Sequence, residues 1–183
     1  MNTIESIHFE AKLLVLKDQV LLRLPDEASA KLPSRGQVAV HGTINGHELR
    51  TVLEPDGFRG HWMRIDAGLQ SAGGICAGDK VKLQLEVTQD WPEPTVPDDF
   101  AASLATAPQK VNEKWLEITS MARWEWIRWI NETRNTDTRA IRIQKTISKL
   151  NGSHRRPCCF NLSACTDPEL SRSGKLMDPR TAS

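Results

Sequence analysis

The chain has 183 residues, of which 39% are hydrophobic and 26% charged, with a formal net charge of +1. That balance gives a core of ordinary size and excludes an intrinsically disordered chain. No apolar run approaches the ~20 residues that a helix needs to cross a bilayer, so no membrane insertion is expected. The first ten residues carry two acids and no basic run, so no secretory leader is expected. The chain therefore reads as cytoplasmic, with reduced thiols.

The first part of the chain reads as β structure. Ile7 to Leu13 alternates apolar and polar residues, as a half-buried strand does. Val20 to Leu24 is a second strand, ended by Pro25, and Asp26 then caps a short helix through Leu32. Gln37 to Ile44 and His47 to Leu53 are two strands around Asn45-Gly46, a pair suited to the positive φ angles of a type I′ turn. Gly60 to Ile65 is a fifth strand. Lys80 to Val87 alternates without a break as a sixth, after the turn at Gly78-Asp79. Six short strands with tight turns predict a small barrel, closed or half-closed.

Trp91-Pro92-Glu93-Pro94-Thr95-Val96-Pro97 then forms a stiff, extended linker. Asp98 caps a helix to about Ala107, ended by Pro108, and a short helix follows over Val111–Ile118. Thr119 or Ser120 caps a third, running to about Arg134. Its Met121, Trp124, Trp126, Ile127, Trp129 and Ile130 cover most of the circumference, so it should be largely buried. Asn135-Thr136-Asp137 breaks that helix and caps a last one through Leu150, stopped at Asn151-Gly152. Ala140, Ile143, Ile147 and Leu150 form its predicted core stripe. The predicted fold class is α+β: a small N-terminal β-barrel of about six strands over 1–91, a Pro-rich linker over 92–97, a helical hairpin region over 98–152, and an irregular Cys-containing tail over 153–183.

Charge is segregated along this plan. Residues 1–118 hold twelve Lys+Arg against seventeen Asp+Glu, and residues 119–156 hold nine against three. The last helix carries Arg139, Arg142, Lys145 and Lys149 as a basic stripe. The stripe is either neutralised within the molecule or offered to an anionic partner.

The matching stretches Leu24-Pro25-Asp26-Glu27-Ala28, Gly36 to Gly46 and Ala77-Gly78-Asp79-Lys80-Val81 resemble the YdeI/OmpD-associated family. So do Arg123-Trp124-Glu125 through Trp129-Ile130, Thr138-Arg139 with Arg142-Ile143, and Arg155 to Asn161 with Cys165-Thr166-Asp167-Pro168. Together they span about residues 7–176. The resemblance implies an N-terminal barrel domain of unknown function, the DUF1905 type, and links to envelope stress and antimicrobial-peptide resistance. It implies no reaction.

Cys158, Cys159 and Cys165, with His154, are candidate ligands for a metal, although paired CxxC knuckles are absent. Arg155 and Arg156 beside them would lower thiol pKa and favour redox chemistry. Cys76 reads as core. His8, His41, His47 and His61 fall on four strands, and His41 and His47 flank the Asn45-Gly46 turn, where they can approach each other. No phosphate loop, nucleotide fingerprint, nucleophile elbow or zinc-protease motif is present. Four of the six tryptophans lie in residues 115–129, and they read as helix–barrel core rather than a stacking platform for bases.

The resulting expectation is a non-enzymatic binding or accessory protein without a cofactor, tied by resemblance to stress or antimicrobial-peptide resistance. Its partner would be a protein or a second copy of the chain. One alternative is a nucleic-acid binder using the basic helix. Another is a thiol redox or metal-binding protein using the C-terminal cysteines.

Overall fold

The computed structural model describes residues 5–158 and 161–178. The chain divides into two compact units. The first holds the described part of Met1–Pro92, Leu162–Cys165 and Glu169–Ser183. The second holds that of Glu93–Asn161 and Thr166–Pro168.

The first unit is a curled antiparallel sheet of seven strands. They are β1 (Ile7–Lys12), β2 (Leu14–Leu16), β3 (Gln19–Arg23), β4 (Val38–Ile44), β5 (His47–Pro55), β6 (His61–Arg64) and β7 (Lys80–Val87). Their order is β1-β7-β4-β5-β6-β3-β2, so β1 and β2 are the two edges. A flat sheet of seven strands would hold those edges roughly 29 Å apart. Here a single residue, Leu13, joins them. The sheet must therefore curl into a half-barrel. Leu13 marks the bend: its N–H donates to Asp79 O at 2.8 Å and its carbonyl accepts from Gly78 N at 2.9 Å.

Seven strands stand where six were expected. The additional one is β2, which pairs with β3 across Lys17-Asp18. Both turn residues take positive φ, 47° and 64°, without a glycine. The Asn45-Gly46 turn forms as the sequence predicts, with φ of 47° and 82°. The alternation in β7 is realised literally, with Val81, Leu83 and Leu85 buried and Lys80, Lys82 and Gln84 exposed.

Helix α1 (Asp26–Ala30) and helix α2 (Ala67–Gly73) complete this unit. Asp26 does not cap α1; Pro25 holds that position, and Asp26 and Glu27 lie in the first turn, where they favour the positive end of the helix. The sequence pattern does not predict α2, which buries no residue fully. Asp66 caps it by accepting from Leu69 N, and Gly74 ends it in the left-handed conformation. The inner face of the sheet buries Leu22, Val40, Ile44, Leu53, Met63 and Leu85 among others.

The tail is not wholly irregular. β8 (Ser171–Arg172) and β9 (Lys175–Leu176) form a hairpin. Leu170, Leu176 and Cys165 bury with Leu16, Leu21 and Trp62 as a second apolar cluster of this unit. Trp62 Nε1 donates to Pro55 O at 3.2 Å, satisfying the buried indole.

The second unit has four helices: α3 (Asp98–Ala105), α4 (Gln109–Glu117), α5 (Ser120–Asn131) and α6 (Thr136–Asn151). α6 packs on the other three. Pro97 and Pro108 precede α3 and α4, so Asp98 is a first-turn acid rather than the cap. Thr119 and Asn135 cap α5 and α6 with their side chains, accepting from Ala122 N at 3.1 Å and Thr138 N at 2.9 Å. The core is Phe100, Val111, Trp115, Trp126, Ile130, Ile143 and Leu150 with their neighbours. Trp115 meets Phe100 edge to face at 5.2 Å. On α5 the expected burial is incomplete: Met121 is exposed, and Trp124 and Trp129 are half-buried.

Candidate functional site

The basic helix α6 does not carry its charges on one free side. Its buried face is Ile143, Thr146 and Leu150, and Arg139 falls four residues before Ile143 on the same face. Ala140, expected in the core, is exposed. Arg139 therefore turns inward at the end of the core. Its Nε and NH2 reach both carboxylate oxygens of Asp99 on α3, at 2.6 and 3.0 Å, and its NH1 reaches Asn131 Oδ1 at 2.8 Å. This bidentate pairing holds the Asp99 carboxyl below its ordinary pKa. Arg142 donates to Trp129 O at 2.5 Å and to Glu132 at 2.9 Å, and its guanidinium lies 5.2 Å from the Trp129 ring centroid.

Two members of the stripe are thus committed to the helical unit. Lys145 and Lys149 carry no ion pair among the described residues. Arg123, Arg155 and Arg156 of the same unit also meet carboxylates. Arg123 clamps Glu93, whose carboxyl it holds low, and donates to Trp115 O and Ile118 O. Arg156 forks onto Glu125, and Arg155 pairs with Glu117. Trp126 Nε1 donates to Arg155 O at 3.0 Å, so this arginine pair is tied to the most buried indole of the unit. The neutralising acids come from residues 93–132, close to the basic helices themselves.

Asp99 and Arg139 stand at a cleft of about 260 Å3 between α3 and α6. Its floor is Ala140 and Ile143, and its remaining walls carry the hydroxyls of Ser103 and Thr136 and the amide of Gln144. An apolar floor with convergent hydroxyl, amide and charged groups suits one amphipathic side chain of a partner.

The cysteine candidates separate. Cys165 is buried among Leu21, Trp62 and Leu176 in the first unit. Cys158 is exposed in the second unit, as is His154. Cys159 lies outside the described residues. Among the described residues no three His, Cys, Asp or Glu side chains are grouped to hold a metal. Cys76 is exposed rather than core; its thiol donates to Asp79, which pushes its pKa up and makes it a poorer nucleophile.

The histidines also separate. His41 lies opposite Arg50 and 3.8 Å from Glu86, while His47 lies opposite Ile44, so the two do not meet across the turn. His61 is fully buried. Its Nε2 faces the Gly36 carbonyl at 2.9 Å, which can only accept, so Nε2 carries the hydrogen. Nδ1 then accepts from the Ser29 hydroxyl at 2.6 Å. This resembles a nucleophile–base pair in distance, but both groups are sealed from solvent, and Arg35 encloses them by donating to Ser29 O at 2.7 Å and Leu32 O at 3.0 Å. Burial is the main cause of a lowered His61 pKa, and nearby Arg35 adds to it. The pair ties α1 to β6.

A half-barrel with a polar-pinned helix, and a helical unit with internally matched charges, define a two-domain α+β protein with an open cleft on its helices. Residues 9–85 match the family described as a domain of unknown function, DUF1905. Residues 93–152 match the family described as bacteriocin-protection, YdeI or OmpD-associated. Both matches are those of the YdeI/OmpD-associated family with its DUF1905-type N-terminal domain, the family that the sequence resembles. No curated protein matches it.

Proposed function

We propose that this chain is a non-enzymatic accessory protein that protects a cell against peptide toxins of the bacteriocin class by binding a protein or peptide partner. The observation that carries the reading is the match of residues 93–152 to a bacteriocin-protection family. The cleft between α3 and α6 is the contact: its apolar floor takes a partner side chain, and the Asp99–Arg139 pair at its edge orients a polar group. Lys145 and Lys149, without ion pairs among the described residues, meet acidic groups of the partner beside it. The protein acts in the cytoplasm.

The test uses a bacteriocin-sensitive host with and without this chain. Expression should raise the inhibitory concentration of at least one peptide toxin severalfold. Ala140→Phe, which fills the cleft from an exposed position, should abolish the gain while leaving the melting temperature in place. Unchanged sensitivity across a panel of pore-forming and cationic peptides sinks the proposal. Fractionation that finds the chain outside the cytoplasm removes the location.

A further inference from the structure

We propose that the half-barrel unit carries a binding site for a small organic anion with a planar ring, of the nucleoside-phosphate class, built from Phe58, Arg23 and the cations of the tail hairpin. It uses none of the residues of the α3–α6 cleft.

The site begins with the turn between β5 and β6. The Asp56 carboxylate is buried, accepts from Phe58 N at 2.7 Å and Gly60 N at 2.9 Å, and pairs with Arg23 at 3.0 Å. Gly57 and Arg59 take positive φ in this turn, 80° and 72°. With the backbone fixed from below, the Phe58 ring is left 55% exposed. The ring meets two cations of this unit, yet more than half of it still faces solvent. The ring is available to a ligand.

The second wall is the β8–β9 hairpin. Leu176 N donates to Asp56 O at 2.9 Å, and Cys165 N donates to Gly174 O at 2.8 Å, so the hairpin is docked on the same turn. Its Lys175 ammonium lies 5.4 Å from the Phe58 ring centroid, and the Arg23 guanidinium lies 5.7 Å from it. Together with Arg172, Met177 and Asp178 these side chains line a cavity of about 390 Å3. That size falls in the ordinary range for small-ligand sites.

Charge decides the kind of ligand. Arg23 is balanced by Asp56, and Asp178 is an acid in the lining. Arg172 and Lys175 make no ion pair among the described residues. This contrasts with the helical unit, where Arg123, Arg139, Arg142, Arg155 and Arg156 all meet carboxylates. Two cations on this hairpin, opposed in the lining by Asp178 alone, leave the site net positive and supply donors for a phosphate or similar anion. The Phe58 ring, with the Arg23 guanidinium and the Lys175 ammonium over it, adds an apolar surface to these cations, and its exposed part together with the guanidinium plane takes a planar ring of the ligand. A ring joined to an anion engages both halves at once; a bare anion or a bare ring engages one.

The experiment is isothermal titration of the full chain with AMP, ribose 5-phosphate and adenosine as probes, with GMP, CMP and UMP as further monophosphates. AMP should bind about tenfold more tightly than either fragment, and binding should weaken with salt. Phe58→Ala, and Arg172→Glu with Lys175→Glu, should each lower AMP affinity about tenfold or more; Arg172→Gln with Lys175→Gln serves if the charge reversal lowers the melting temperature. No binding of any monophosphate at about 1 mM overturns the proposal. So does affinity that survives both variants, or ribose 5-phosphate or adenosine binding as tightly as AMP.

Discussion

A Cβ on Gly57 would lie 2.1 Å from the carbonyl oxygen of Gly174, so the β5–β6 turn and the tail turn touch backbone to backbone. Gly46 has a similar φ, 82° against 80°, but nothing stands within 4 Å of its missing Cβ. The two positions separate backbone strain from steric contact. Gly46→Ala should cost about 1–2 kcal/mol, the strain of an L residue at positive φ. Gly57→Ala should cost about 1–3 kcal/mol more, because the tail hairpin must move. Urea midpoints of the two variants check this; equal losses would mean that the tail is not held against the turn.

Trp126 is fully buried and Trp124 half-buried, two residues apart on one helix. Trp126→Ala should destabilise by about 3–5 kcal/mol, with part of the loss from the orphaned Arg155 carbonyl. Trp124→Ala should cost clearly less. Chemical denaturation followed by circular dichroism gives both values, and a reversed order would contradict the packing of α5.

Asp99 and Arg139 form the bidentate pair at the cleft. Asp99 is 45% exposed, so water screens the pair and its net value is modest. A double-mutant cycle with Asp99→Asn and Arg139→Gln should give a coupling of about 0.5–1 kcal/mol. The lowered Asp99 pKa means that this contribution is present at neutral pH and is lost as pH falls through the folded-state pKa. A cycle repeated at acid pH should show no coupling.

His61 gives a second, separable pH effect. Its proton affinity is lower in the folded state, so the unfolded chain takes up a proton first as pH falls. Stability from this group is complete above the unfolded value near 6.5 and declines below it. His61→Gln should lower stability at pH 8, since the Ser29 and Gly36 partners are mismatched, and should remove the part of the slope that begins as pH falls below about 6.5. Unfolding free energies across that range check it; an unchanged slope would assign the effect elsewhere.

A chain cut after Pro92 lacks Cys165, Leu170 and Leu176, which cover Leu16, Leu21 and Trp62. Such a fragment should bind hydrophobic dyes and show red-shifted tryptophan emission relative to the full chain. Full native stability in the fragment would show that the tail covers nothing of consequence.

Local signals carried much of this fold. The β7 alternation and the Asn45-Gly46 turn needed no distant partner to be read. β2 was hidden because Lys17-Asp18 adopts left-handed geometry without the usual Asn-Gly chemistry. For α2 the signals were present, Asp66 at the start and Gly74 at the end, but the segment between is short and lacks a buried face. Arg139 was visible in the α6 stripe, yet its acid, Asp99, lies 40 residues away in sequence, so this capture could not be read from helical spacing. Phe58 and the tail cations are farther apart still, and only the docking of the hairpin brings them together.

The one-residue passage at Leu13 has a consequence for synthesis. Among the described residues β1 pairs only with β7, Lys12 against Lys80 and Ile7 against Leu85. The first strand to leave the ribosome therefore waits for the last strand of its sheet, for roughly 3–14 s at ~5–20 residues per second. For that interval it is an unpaired edge, the kind that captures strands of other chains. Its own alternation offers protection: His8, Glu10 and Lys12 place a polar or charged group at every second position. Removing the charges of Glu10 and Lys12 would leave the finished sheet nearly intact while making the nascent one prone to aggregate.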